Sequence, residues 1–278
     1  MTKATGNQAP LAQASRPSMN PSVQQGFTLI ELLIGMALLG LILLVVNSLF
    51  TSSAKGTSQL NARNDLQQET LNAQNLIGAR LKEAWYVYPV GTNLNFPTDP
   101  RIVDPTGGAT NVYQVGTDPV LAMILPPLAS GGAYRLFAYY AVTRATWLSS
   151  NTGFNNPGGS TTDGTWVLAE YRANFAAKPT ISGTPPTLPT TAPVMNLLAE
   201  DLVPTNSATG AYNLFTFFTS SVTNPAAQEA TWPIPYVNQV ALNMRVRQTR
   251  GGQTVVLPSA STQFTLSIFP ENIGRSGM

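Results

Sequence analysis

Neither cysteine nor histidine occurs among the 278 residues. Their absence leaves no disulfide framework, thiol nucleophile or cysteine metal site, and a Ser-His-Asp triad, a Cys-His pair or the common zinc constellations cannot be assembled. Enzymes of those classes are excluded. Charge is scarce as well: Asp, Glu, Lys and Arg make up 10% of the chain. Gly, Pro, Ser, Thr, Asn and Gln are plentiful, a balance typical of loop-rich β domains working outside the cytoplasm. Acid is missing altogether from the first 26 residues, which hold Lys3 and Arg16. Without those two, the 15 basic side chains fall to 13, against 13 acidic ones. The pI near 8.9 therefore comes from the N-terminal segment, and bulk charge gives no support for nucleic-acid binding. The length is ample for one sizeable core beyond that segment, and no internal repeat is evident.

What the chain does have is one acid in a long apolar run. Gln25-Gly26-Phe27-Thr28-Leu29-Ile30-Glu31 leads directly into Leu32-Leu33-Ile34-Gly35-Met36-Ala37-Leu38-Leu39, and no charge follows until after Ala54. From Phe27 to Phe50 the apolar character is interrupted only by Thr28, Glu31 and the Asn47-Ser48 pair. At ~1.5 Å per residue this helix spans the ~30 Å hydrocarbon layer. An ionised acid inside it costs roughly 2.5–3.5 kcal/mol at the centre of the span and less near an end. A partner charge is therefore expected, and the nearest basic residues in sequence, Arg16 and Lys55, lie outside the span. An amino terminus created by a cut before Phe27 would serve.

Residues 1–26 read as a leader rather than an ordinary secretory signal, because the plausible cut precedes the apolar core instead of following it. The helix is then retained. Lys3 and Arg16 should hold the leader in the cytoplasm and place everything after Lys55 on the far side of a single-pass span.

Gly26-Phe27-Thr28-Leu29-Ile30-Glu31 followed by a long apolar helix resembles the type III signal of type IV pilins and type II secretion pseudopilins. The resemblance is strong over about residues 24–50. It implies that a prepilin peptidase cuts after Gly26 and methylates Phe27. It also implies that the helix packs with other pilins in a filament core, where Glu31 pairs with the Phe27 ammonium of a neighbour. Major pilins of the family commonly carry a proline midway along this helix, where this chain reads Val45-Val46-Asn47-Ser48, which points to a minor component. A plain signal anchor with a stray acid near its cytoplasmic end is the alternative. Gly35 and Gly40 lack the spacing of a small-xxx-small dimer motif.

Beyond the span, Ala62, Leu66, Ala73, Ile77, Leu81 and Ala84 mark one stripe of an amphipathic helix, with Arg63, Asp65, Glu69, Arg80, Lys82 and Glu83 on a wet side. One helix is expected from about Phe27 to about Tyr86, ended by Tyr88-Pro89. The expected organisation is leader 1–26, membrane or filament-core helix 27–54, amphipathic continuation 55–88 and a β-rich domain 89–278. Strands are expected at 120–125, 133–144, 165–175 and 213–219, in the alternating run Val240 to Val246, and at Phe264 to Ile268. Phe137 and Tyr139 opposite Leu136 and Tyr140 suggest a strand covered on both faces. One helix followed by strands alone predicts α+β with an antiparallel sheet, a pilin-like arrangement.

In the second half, Asn196-Leu197-Leu198-Ala199-Glu200-Asp201-Leu202, Phe215-Thr216-Phe217-Phe218, the Val240 to Val246 run and Phe264-Thr265-Leu266 before Pro270-Glu271-Asn272 loosely resemble the large W-type minor pilins and their J-type secretion counterparts. No cofactor, metal site or catalytic residue is expected. Asp99, Asp104, Asp118 and Asp163 read as solvated turn residues without calcium-loop spacing. Adjacent Glu200 and Asp201 would face opposite sides of a strand. Arg245, Arg247 and Arg250, with Tyr236 near, read either as a basic ridge able to meet DNA phosphate or as a solvated strand face. Trp85, Trp147, Trp166 and Trp232 are expected in the core or at subunit contacts. Expected partners are the prepilin peptidase, other pilins or pseudopilins and the inner membrane, with DNA as a weaker candidate. An adhesin or DNA receptor on the same anchor is the reading from another class.

Overall fold

The computed structural model describes residues 27–104, 111–150, 164–181, 184–203, 213–221, 236–250, 252–259 and 261–275. The chain divides into two compact units, Met1–Ser52 and Ser53–Met278. Helix α1, Leu29–Glu83, has 55 residues and is about 80 Å long at the usual rise. It is long and apolar enough to cross a membrane, and no residue of its apolar window is buried.

In the second unit the expected stripe is buried: Ala62, Leu66, Ala73, Ile77 and Leu81. The gap of seven between Leu66 and Ala73 is bridged by Thr70, whose Oγ1 donates to the Leu66 carbonyl at 2.7 Å. Buried Gln74 continues the stripe and donates to the Phe264 carbonyl at 3.3 Å. Polar residues can lie on a buried stripe when their hydrogen bonds are met, and here both are.

The helix stops at Glu83, earlier than expected, because the next residues are drawn into a sheet. Trp85 N donates to the Ile124 carbonyl at 2.8 Å and Tyr88 N to that of Ala122 at 3.0 Å. Between them β1, Tyr86–Val87, pairs antiparallel with β4, Val120–Leu125. The freed helix end is partly satisfied by the C-terminal segment, as Glu271 N donates to the Lys82 carbonyl at 3.1 Å.

A seven-stranded antiparallel sheet follows the order β1-β4-β5-β6-β7-β10-β11, with β5 at Arg135–Thr143, β6 at Trp166–Asn174, β7 at Val194–Leu202, β10 at Val246–Arg250 and β11 at Gln253–Leu257. The α+β arrangement expected from the order of elements is thus present. Strand β5 is covered on both faces. On one side Tyr139 accepts a hydrogen bond from Arg80 of α1. On the other, Tyr140 and Tyr171 pack with Phe96 and Tyr113, ring centroids 5.2–5.7 Å apart. Tyr113 lies on β3, Val112–Gln114, which pairs with β2, Asn93–Asn95.

A three-stranded sheet, β12-β9-β8, is built from Phe264–Ile268, Tyr236–Met244 and Phe215–Ser220. The run from Val240 to Val246 is therefore not one strand. It breaks at Arg245, whose carbonyl accepts from Val203 N at 2.9 Å, while Val246 pairs with Leu202 and Leu257 in the other sheet. A second departure is the short helix α2, Arg144–Ser150, where only strands were expected after α1. Thr143 starts it by accepting from Thr146 N at 3.1 Å, an N-cap bond.

Two members of the expected wet side of α1 turn inward, because buried acids and backbone groups on the sheet give them partners. Arg80 ion-pairs with Glu170, which is 1% exposed, donates to Tyr139 Oη at 2.8 Å and stacks 4.2 Å from the Phe137 ring centroid. Glu69 accepts from Glu200 N. Glu200 and Asp201 themselves do not face opposite sides. Trp166 pairs with Leu202 and Leu168 with Ala199, so β7 spends three steps where β6 spends two, and Asp201 adopts φ 57°. This bulge brings both acids to Arg144, at 2.5 Å for Asp201 and 3.8 Å for Glu200. Burial pushes the Glu69 carboxyl up to about 7, against the Glu200 amide and with the help of the neighbouring Glu200 and Asp201 charges.

Denaturant titrations of the protein check both inward-turning residues. Arg80→Met leaves buried Glu170 with Arg172 as its one cationic partner among the described residues and lowers stability by about 3 kcal/mol. Because the Glu69 carboxyl is raised in the folded state, the native protein holds a proton that the unfolded chain has lost. Stability should then fall as pH rises from about 4.5 to about 7 and level off above. The slope predicted for this one group amounts to on the order of 3 kcal/mol in total, and Glu69→Gln should remove it.

Candidate functional site

The start of α1 is organised by Thr28 and Glu31. Thr28 stands just before the first helical residue, Leu29, and its carbonyl accepts the helical bond from Leu32 N at 3.2 Å. Its Oγ1 accepts from Glu31 N at 3.3 Å, and the Glu31 carboxylate accepts from Thr28 N and Thr28 Oγ1, both at 2.9 Å. This is a capping box, threonine at the N-cap and glutamate at the third helical position. It also sets negative charge at the positive end of the helix. The Thr-x-x-Glu spacing of Thr28 and Glu31 is the sequence mark of this box, missed in the reading of the apolar span.

Glu31 is thus less needy than its apolar setting suggests. Both bonds from Thr28 fall on Oε2, and Oε1 has no partner among the described residues. One oxygen holds the helix start while the other stays open. Phe27, the residue before the cap, is 87% exposed. Gly26 and the leader lie outside the described residues.

The three arginines expected as a basic ridge are not brought together on one face. Arg245 falls between β9 and β10, and Arg247 and Arg250, three apart on β10, project to opposite sides of that strand. Arg250 pairs with Asp65 of α1 at 3.2 Å. Tyr236 opens β9 in the other sheet. Trp85, Trp147 and Trp166 are core residues, while Trp232 lies outside the described residues. Asp99 and Asp104 are not solvated as expected. Arg101 binds Asp99 through two bonds of 2.9 Å and holds its carboxyl below the usual range, while Asp104 is buried. Asp118 accepts from Gln114 N at 2.5 Å, and Asp163 lies outside the described residues.

Residues 21–47 match the family model described as the prokaryotic N-terminal methylation motif. The chain carries a prepilin-type signal. The match encloses Gly26, Phe27 and the whole capping box, and it supports a type IV pilin or pseudopilin. A prepilin-type motif implies cleavage by prepilin peptidase and assembly with other pilins in a membrane. No curated protein and no solved structure matches the chain.

Removing the cap hydroxyl should loosen the helix start alone. Thr28→Ala is expected to cost about 1 kcal/mol locally, read as roughly fivefold faster hydrogen exchange at the Glu31 amide in micelles, with the exchange of amides in β5 and β6 unchanged.

Proposed function

We propose that this protein is a non-enzymatic minor type IV pilin of the large W- or J-like kind. It is cut by prepilin peptidase between Gly26 and Phe27, methylated on Phe27, and then incorporated into a pilus or used to prime one. The leader lies in the cytoplasm, and the β-rich domain faces outward from a single-pass inner membrane anchor. The observation that carries this reading is the prepilin-type match over residues 21–47, whose acid keeps Oε1 open beyond its intrahelical cap. That oxygen is the acceptor for the Phe27 ammonium of an adjoining subunit. A pairing of this kind rejects registers that leave the charge unmet in an apolar filament core.

The cap separates two possible roles of Glu31. Glu31→Gln preserves an acceptor for Thr28 but deletes the charge, whereas Thr28→Ala deletes the two hydroxyl bonds of the cap but keeps the charge. If pairing between subunits is the role, Glu31→Gln should lower incorporation at least tenfold, a difference of about 1.4 kcal/mol, and Thr28→Ala should stay within twofold. Mass spectrometry of the native protein supplies the companion test: the mature chain should begin with methylated Phe27. Equal losses for the two variants would make Glu31 a cap and nothing more, and a mature chain retaining its first 26 residues would end the pilin reading. Loss of twitching or DNA uptake on deletion supports the pilus, while loss of protein secretion assigns the chain to a type II secretion pseudopilus.

A further inference from the structure

On the face of the large sheet that meets Arg80, the register aligns Phe137 with Arg172 and Val194, and Arg135 with Asn174 in the adjoining row. These side chains, with Phe175, line a groove of about 720 Å³ at the strand ends. Arg135 and Arg172 line it, Arg80 lies over Phe137, and one buried acid answers two of the three. Glu170 is shared, ion-paired to Arg80 through Oε2 and lying 3.0 Å from Arg172 Nε through Oε1. Arg135 has no ion pair among the described residues. Its Nε and Nη2 share the Pro126 carbonyl at 3.4 and 3.2 Å, which leaves Nη1 open, and the Glu83 carboxylate acts on it only at longer range. Arg172 side-chain atoms are 41% exposed.

Arg135 and Arg172 are diagonal neighbours on paired strands, about 7–8 Å apart at the backbone, and the Arg80 charge adds repulsion at Arg135. An anion between them would turn that repulsion into two charge-assisted bonds. The walls restrict which anion. Phe137 is only 5% exposed and has Arg80 and Arg135 guanidinium carbons 4.2 and 5.9 Å from its ring centroid, so it offers no free face for stacking a nucleobase. Val194, in contrast, is 47% exposed at the rim, an apolar surface suited to the aliphatic stem of a side chain.

We propose that this groove binds a glutamate or aspartate side chain carried by an extended acidic peptide of a partner protein, with Arg135 and Arg172 gripping the carboxylate and Val194 packing against its stem.

The test uses the full mature protein in detergent micelles and follows the arginine Nε–Hε NMR signals during titration with the blocked peptide Ac-Ala-Glu-Ala-Glu-Ala-NH₂. The Arg135 and Arg172 signals should shift saturably, and the Gln-for-Glu peptide should bind at least tenfold more weakly. Arg135→Gln lies outside the buried ion pairs, so it should leave the melting temperature unchanged and weaken the peptide at least tenfold. Arg250→Gln should have no effect on binding. Absence of saturable shifts, or equal binding of the Gln peptide, overturns the proposal. Equal or tighter binding of free glutarate assigns the groove to a small dicarboxylate and also overturns it, as does stronger binding of oligothymidylate.

Discussion

Glu170 is a carboxylate with almost no access to water, and it remains tolerable because Arg80 reaches it from α1 while Arg172 approaches from the same strand. An unpaired charge in such a place is expensive, whereas a paired one contributes less to stability than to selection among packings. A helix with an apolar stripe can slide by a turn with modest loss, since Ala, Leu and Ile fit many neighbours. An arginine that must find one buried acid, one phenol and one aromatic face cannot slide. The Arg80 tie therefore fixes rotation and register for the part of α1 that packs on the sheet. The Glu69 contact with the β7 bulge fixes a second point eleven residues earlier, three turns along the same helix.

Glu31 and Glu170 are answered in contrasting ways. Glu170 has partners on both oxygens within its own fold. Glu31 is met on one oxygen by the cap of its own helix and is open on the other. A fully answered charge acts as an internal lock, while a half-answered one at the end of an exposed apolar helix is, in the proposed assembly, a selector for something outside the chain. The same logic applies at lower cost to Arg135, half-answered by a carbonyl at the rim of the sheet.

Much of this was legible in residue order. The burial stripe from Ala62 to Leu81 follows directly from 3.6-residue periodicity, and β4, β5, β6, β8 and β12 lie where apolar runs and alternation placed them. The misses have local causes. Periodicity in Val240 to Val246 persists through a point where the chain changes sheets, because alternation reports only which face is buried and not which neighbour is hydrogen-bonded. The hairpin of β10 and β11 was signalled by Gly251-Gly252 between two apolar-bearing runs, and the start of α2 by Thr143 three residues before Thr146. The bulge that turns Glu200 and Asp201 the same way had no such marker, since it depends on pairing with a distant strand. Arg80 and Glu69 were assigned to solvent for the same reason: their partners are fixed by the sheet and not by the helix.

The low charge content gains a meaning from where the charges are placed. Arg80, Glu170 and Arg172 form one cluster, and Arg144, Glu200 and Asp201 another. Asp99 with Arg101 and Arg250 with Asp65 are separate pairs. Among the described residues these ion pairs engage ten charged side chains and organise the fold. With no excess of either sign after residue 26, long-range steering by net charge is weak. Selectivity in assembly then has to come from short-range features, an apolar helix that favours close packing and single charges that tolerate few neighbours. For such a surface, one open carboxylate oxygen or one unpaired guanidinium carries more discrimination than a broad patch would, because each unmet charge removed from water rules out every arrangement but those that answer it.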